Sequence, residues 1–146
     1  MPDSEEKLDK QEAIDRLNTA LTLQLRSALQ YSIAAASLSG IEAQALGGKL
    51  TAFGDDELSD ARLLIEKIIS FGGKPATAVA ELRFEAAVKD AIGWLIKCEE
   101  AAVEALQEAI EPTGRDGRSE ALEHLMEHLI LRKQHQVDFL NRAISS

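Results

Sequence analysis

The chain has one cysteine, three prolines and 4% aromatic residues among its 146 residues, and each low value excludes something. A disulfide or a CxxC metal site needs two cysteines. Because Cys98 is the single cysteine, neither can form within one chain. No uninterrupted apolar run reaches the ~18 residues of a membrane span, and no apolar segment at the N-terminus resembles a signal peptide. We therefore expect a cytoplasmic protein with no membrane partner.

Basic residues are also scarce. The sequence has 16 Lys and Arg residues against 25 Asp and Glu residues, a formal net charge of -9, and no Lys/Arg cluster. Nucleic-acid binding depends on neutralising phosphates with such residues, so we expect no nucleic-acid partner. What the chain does have, in quantity, is alanine, leucine, glutamate and lysine, which favour helix over sheet.

Glycine and proline divide the chain into four long segments with apolar stripes at helical spacing, which predicts an all-α four-helix bundle. The connection from Gly72 to about Leu82 is long enough, at roughly 3.3 Å per residue, to cross most of the bundle between helices 2 and 3. Asp9 and Ser119 are predicted N-caps. We expect a flexible tail over residues 1–8 and a single bundle over 9–146, with helices over about 10–38, 42–71, 83–111 and 119–144.

One polar residue interrupts each stripe near its midpoint: Gln24, Glu57, Glu99 and Lys133. Antiparallel packing brings segment midpoints to one level, so these side chains are expected to meet inside the bundle. Facing buried carboxylates need a cation between them, because an unpaired buried charge costs several kcal/mol or takes up a proton. A metal ion is one such cation, and the Lys133 ammonium is another.

Several short runs together span most of the chain: Leu17-Asn18-Thr19-Ala20-Leu21 followed by Gln24, Gln30-Tyr31, Gly73-Lys74-Pro75 after the second helix, and Leu106-Gln107-Glu108-Ala109-Ile110 on the third. These runs resemble those of bacterioferritins. The resemblance implies a ferritin-like four-helix bundle with a long crossover between helices 2 and 3.

In ferritin-like proteins two helices each give one Glu to a dinuclear metal centre and the other two each give Glu-x-x-His. This chain matches the pattern in part, so the resemblance implies a degenerate di-iron site. Glu57 and Glu99 stand at carboxylate positions and Asp60 replaces a His. The haem-ligand methionine of bacterioferritins is matched by Leu58, so no haem is expected. The remaining positions hold Gln24 in place of a Glu and Lys133 with Gln136 in place of Glu-x-x-His.

The fourth helix has an alternative alignment. Counting without a gap from Ile110 places Arg132 and His135 at the Glu and His positions. Helical periodicity favours Lys133 and Gln136, because Arg132 and His135 point away from the apolar stripe. In both alignments a basic side chain replaces a carboxylate ligand.

Charge counting limits the metal chemistry. Glu57, Asp60 and Glu99 against Lys133 leave a charge of about -2, enough for one divalent ion and too little for two. We hypothesise that Lys133 replaces the charge of one or both metals. The alternative is that Lys133 extends to solvent while the two glutamates fix helix register.

Two other groups of side chains are candidate site residues. His124 and His128 have the i, i+4 spacing that binds zinc or copper, although their stripe faces away from the core, where a solvated or subunit-contacting face is the alternative. Tyr31 is predicted to line the polar layer from the core, with its hydroxyl needing one partner.

The resemblance therefore implies a ferritin-like iron-storage or structural subunit that lacks a competent ferroxidase centre. Such a subunit is expected to self-associate as a dimer or cage, with a catalytic ferritin-like subunit as a further partner. The first alternative is an oxidoreductase with one iron or manganese ion held by Glu57, Asp60 and Glu99; the second is a metal-free interaction module. The cofactor is expected to be one divalent metal or none.

Overall fold

The computed structural model describes residues 9–110 and 117–145. Within these ranges the chain forms four α-helices and no strand, which confirms the predicted all-α bundle. The predicted N-terminal tail and the Pro112-Thr113-Gly114 run, which is expected from sequence to end the third helix, lie outside the described residues. The helices are α1 (Lys10–Ser37), α2 (Gly40–Ser70), α3 (Val88–Ile110) and α4 (Gly117–Ile144).

The ends of α1 and α2 follow from local chemistry. Asp9 caps α1, since its Oδ1 accepts from the Glu12 backbone N–H at 3.1 Å. At the end of α2, Gly72 has a left-handed φ of 85°, and Gly73 N donates to Ile68 O at 2.9 Å. These features form a Schellman motif, which only glycine closes without strain. The second glycine is needed for a different reason: a Cβ on Gly73 would lie 2.7 Å from Ile14 Cγ2.

Two predicted helix starts were wrong. Helix α4 begins at Gly117, so Ser119 lies buried in its first turn and is not the N-cap. Helix α3 begins at Val88, about five residues later than predicted. The reason is a distant contact: the Gln30 amide donates to Arg83 O and accepts from Arg83 N at 3.0 Å, which keeps this backbone out of the helix.

The crossover between α2 and α3 follows α1 and is attached to it at three levels. Asn18 Nδ2 donates to Lys74 O at 3.0 Å, and Asn18 Oδ1 accepts from Ala76 N at 2.7 Å. Further along, Thr22 O accepts from Ala80 N at 3.3 Å, and Gln30 holds residue 83. The predicted long connection is therefore held by two side chains and one backbone carbonyl of α1.

We expect Asn18→Ala to lower the free energy of unfolding by about 1–2 kcal/mol, because it removes two hydrogen bonds to the crossover backbone. Urea denaturation measures the change. Thr19→Ala is the matched control, since the Thr19 hydroxyl bonds only Asp15 O within α1. Equal losses in the two variants would contradict an attachment role for Asn18.

The apolar core has two parts, one on either side of the polar layer. The larger part includes Leu17, Leu64, Leu106 and Met126. The smaller includes Tyr31, Leu50, Ile92, Leu95 and Leu140. Among the described helices, none is long and apolar enough to span a membrane.

Candidate functional site

The polar residues that interrupt the four stripes meet in one buried cluster. Gln24 of α1, Glu57 of α2, Glu99 of α3 and Lys133 of α4 are all 0% exposed. Each helix supplies one of these side chains from near its midpoint, and apolar residues above and below seal the layer from solvent. The sequence pattern thus located residues that the fold brings together.

Lys133 lies between the two glutamates. Its Nζ donates to Glu57 Oε1 at 2.7 Å and to Glu99 Oε1 at 2.9 Å, both short distances typical of charge-assisted hydrogen bonds. The side chain does not extend to solvent, so the alternative of a solvent-exposed Lys133 was wrong. Its ammonium group occupies the position between the carboxylates that a bridging cation would need.

The surrounding side chains satisfy the other carboxylate oxygens. Gln24 Nε2 donates to Glu57 Oε2 at 2.7 Å, and the Tyr31 hydroxyl donates to Glu99 Oε2 at 3.0 Å. In the amide orientation that satisfies both its ends, Gln136 Nε2 lies 2.6 Å from Glu99 Oε2 and 3.3 Å from Glu57 Oε1. Each carboxyl group therefore has at least three side-chain partners.

One ammonium between two carboxyl groups produces opposite pKa shifts. Burial raises the pKa of Glu57 well above its ordinary value; Lys133 opposes that rise and Glu99 adds to it. Burial acts to raise the pKa of Glu99 as well, but Lys133 and the hydrogen bond to Glu57 outweigh it, so this pKa is lowered. Burial acts to lower the pKa of Lys133, and the two glutamates outweigh it and raise that pKa. When the two glutamates together hold one proton, the pair and the charged Lys133 make a cluster with no net charge.

Asp60 is held by a different partner. Its Oδ2 lies 3.2 Å from Arg132 Nε, and Arg132 Nη1 lies 3.8 Å from Asp56 Oδ1. Burial raises the pKa of Asp60, and Arg132 opposes this. The charge count from sequence left out Arg132; once it is included, three carboxyl groups face two basic side chains and the formal charge falls from about -2 to about -1.

The fourth helix takes the register favoured by periodicity. Lys133 and Gln136 are 0% and 2% exposed, whereas His135 lies on the exposed surface. Arg132 is at the edge of the bundle, where it reaches Asp60. The sequence analysis missed this ion pair; the available signal was Asp60 one turn after Glu57, at the edge of its stripe.

The other candidate site residues lie apart from the cluster. His124 Nδ1 is 3.7 Å from Glu127 Oε1, and the imidazole is largely exposed. His128 Nε2 is 3.3 Å from Arg132 Nη2. Leu58, at the position of the haem-ligand methionine, is 56% exposed.

The donor set does not fit a dinuclear metal centre. Over residues 9–110 and 117–145, no group of three or more His, Cys, Asp or Glu side chains is arranged to hold a metal ion. Glu57 and Glu99 share the Lys133 ammonium, and Asp60 is paired with Arg132. A metal entering between the glutamates would have to displace a fully buried ammonium group from two carboxyl partners.

Four helices, a long crossover attached to α1 and one polar layer joining all four helices define a ferritin-like bundle. The sequence profile of the ferritin-like domain matches residues 14–146. The chain therefore belongs to the ferritin-like family, as its resemblance to bacterioferritins predicted. A comparison with curated proteins finds no match.

Solved structures with the same fold come from several bacteria. A ferritin-like diiron-carboxylate protein from Bacillus anthracis str. Ames is 24% identical, with a TM-score of 0.87 over 94% of this chain and 98% of that one. A dodecameric thioferritin from Bacteroides fragilis, described as bacterioferritin-related, is 21% identical, with a TM-score of 0.82 over 93% and 86%. Rhodobacter capsulatus bacterioferritin is 22% identical, with a TM-score of 0.81 over 94% and 86%. At these identities the likeness shows the fold.

Proposed function

We propose that this protein is a ferritin-like structural or iron-storage subunit without a ferroxidase centre of its own. The observation that carries the proposal is the Lys133 ammonium, which lies 2.7 Å from Glu57 Oε1 and 2.9 Å from Glu99 Oε1 inside the bundle. The fixed positive charge performs the neutralising task that metal ions perform between carboxylates.

Electrostatics support this proposal over a metal enzyme. Two ferrous ions bring four positive charges, and the cluster of Glu57, Glu99 and Lys133 is neutral when Glu57 is protonated. Displacing Lys133 would leave the two buried carboxyl groups without a cation between them, or would place an unpaired ammonium group in the apolar core. Either change costs several kcal/mol. The single-metal oxidoreductase has weaker support, because Asp60 is paired with Arg132 and not with the other two carboxyl groups.

Self-association is part of the proposal. The Bacteroides fragilis relative is described as dodecameric, and the similarity of fold supports a closed shell or a dimer for this chain. In a mixed shell, a catalytic ferritin-like partner would oxidise the iron while this subunit completes the wall. A metal-free interaction module on the same fold is the remaining alternative.

Iron oxidation tests the proposal directly. Purified protein is mixed anaerobically with ferrous salt and then exposed to oxygen, with absorbance followed against protein-free buffer and a ferroxidase-active ferritin. We expect the rate of the protein-free control and far less than one tightly bound iron ion per chain. Rapid oxygen-dependent turnover with stoichiometric bound iron would overturn the proposal.

Light scattering then measures the molar mass of the assembly and distinguishes a shell, a dimer and a monomer. A shell that retains ferric mineral supports storage, and a shell or dimer that retains none supports a structural role. A monomer of 15.9 kDa under all conditions would contradict both.

A further inference from the structure

A cleft lies on the outside of the bundle, beside the first half of α3 and the end of the crossover. Its volume is about 340 Å³, the lower end of the range for small-molecule sites. The lining carries three basic and two acidic side chains, in a protein whose formal net charge is -9. The lining residues are Arg83, Glu85, Lys89, Asp90, Gly93, Trp94 and Lys97.

Arg83 and Trp94 form the built part of this cleft. The Arg83 guanidinium carbon lies 4.0 Å from the centroid of the Trp94 ring, and that of Arg26 lies 5.2 Å from it. The Arg83 backbone is itself fixed by two hydrogen bonds with the Gln30 amide, one donated and one accepted by Gln30, which is 3% exposed. A cation held in this way is ordered before any ligand arrives, which lowers the entropic cost of binding.

Two hydrogen-bond donors near the Trp94 ring have no partner among the described residues, one on Trp94 of the lining and one on Arg26, whose guanidinium packs against that ring. In the part of the chain that the structure describes, Arg26 Nε and Trp94 Nε1 are buried donors without a hydrogen-bond partner. The first turn of α3 carries Lys89 and Asp90 of the lining, so the partial positive end of that helix adjoins the cleft. Donors and positive charge of this kind match an oxyanion.

Gly93 keeps the floor of the cleft open. It lies inside α3, where glycine lowers helix stability relative to alanine. No packing contact requires it, since a Cβ at this position would have no neighbouring atom within 4 Å. A methyl group there would instead project into free space, and because Gly93 lines the cleft it would take up part of that space.

We infer that this cleft binds a small phosphate-bearing anion. Arg83, Lys89 and Lys97 supply one planar guanidinium and two ammonium groups, which together suit phosphate oxygens. Glu85 and Asp90 beside them disfavour a long polyanion such as nucleic acid, and the volume suits a small molecule. The inference does not depend on iron chemistry or on the Lys133 cluster.

Trp94 is the single tryptophan of the chain, so its fluorescence reports on the cleft alone. Inorganic phosphate, pyrophosphate and adenosine monophosphate are titrated separately at constant ionic strength, with sodium chloride as the control. We expect a saturable change in Trp94 emission with a Kd at or below about 1 mM for at least one of them. If adenosine monophosphate binds most tightly, the natural ligand is a nucleotide. If phosphate or pyrophosphate binds most tightly, the natural ligand is a free inorganic ion.

Variants connect the signal to the cleft. Lys89→Gln and Lys97→Gln are each expected to weaken binding about tenfold, because each removes one charged donor. Lys10→Gln makes the same charge change at the start of α1, roughly 24 Å along the helix axis from Arg26. It is expected to leave the Kd unchanged. Gly93→Ala is expected to raise Tm and to weaken binding, two opposite effects that a purely structural glycine would not combine.

Two results would overturn the inference. The first is an emission change that fails to saturate, or that chloride reproduces at the same ionic strength. The second is a saturable change that survives in the Lys89→Gln/Lys97→Gln double variant, since the anion would then bind elsewhere.

Discussion

Lys133→Met is expected to lower the free energy of unfolding by about 3–5 kcal/mol at pH 8, because it leaves two buried carboxyl groups without their shared cation. Methionine keeps most of the length and volume of lysine, so the loss reports charge and hydrogen bonding more than packing. Urea denaturation followed by circular dichroism measures it. The loss arises where Nζ now lies 2.7 Å from Glu57 and 2.9 Å from Glu99.

The size of this loss is expected to depend on pH. Without Lys133 the pKa values of both glutamates rise, because the attraction that opposes burial is gone. A carboxyl whose folded-state pKa exceeds its unfolded value binds extra protons when folded, so its folded state loses stability as pH rises above the ordinary 4.5. In the natural protein only the pKa of Glu57 is raised, while Glu99 has a lowered pKa and contributes stability above that pH. The difference between the two proteins should therefore be larger at pH 8 than at pH 5.

Two controls test the electrostatic explanation. The triple variant Glu57→Gln/Glu99→Gln/Lys133→Met removes every charge of the cluster and is expected to recover most of the stability, with little dependence on pH. Lys10→Met changes an exposed lysine and should have an effect below about 0.5 kcal/mol. If the triple variant were as unstable as Lys133→Met, lost packing rather than unpaired charge would be the cause.

The polar layer was predictable from sequence because each of its main members interrupts a regular apolar stripe. A polar side chain at a position that periodicity assigns to the core either meets a partner or destabilises the fold, so Gln24, Glu57, Glu99 and Lys133 had to face one another. The end of α2 was predictable from local sequence, since two adjacent glycines with a proline two residues further on seldom continue a helix.

Contacts between residues distant in sequence were not predictable. The start of α3 depends on Gln30, a residue of another helix, which binds the backbone of Arg83. The pairing of Asp60 with Arg132 depends on which flanks of α2 and α4 lie close together, and a single helix's periodicity does not specify that. The cleft at Trp94 is likewise formed by the crossover and α3 together.

The combined variant Gln24→Glu/Asp60→His/Lys133→Glu/Gln136→His restores the ligand pattern of ferritin-like dinuclear centres. We expect it to bind two Co²⁺ ions per chain. Without metal it should be several kcal/mol less stable than the natural protein, because four carboxylates then face one another. At a Co²⁺ concentration 1,000 times Kd, each bound ion should return about 4 kcal/mol. Calorimetric titration gives the stoichiometry, and melting with and without Co²⁺ gives the stabilisation.

Lys133→Glu alone is the informative comparison for this restoration. It changes the residue that the proposal makes responsible and keeps Gln24, Asp60 and Gln136, so we expect lower stability without metal and higher affinity for one divalent ion. A contrary result would be a Tm that Co²⁺ does not change in either Lys133→Glu or the combined variant, both measured as folded protein. Charge at position 133 would then not control metal binding. Lys133 would then stabilise the bundle without standing in for a metal. Two ions bound to the combined variant and one to Lys133→Glu would instead show that a bundle built for metal is kept metal-free by a single ammonium group and its amide neighbours.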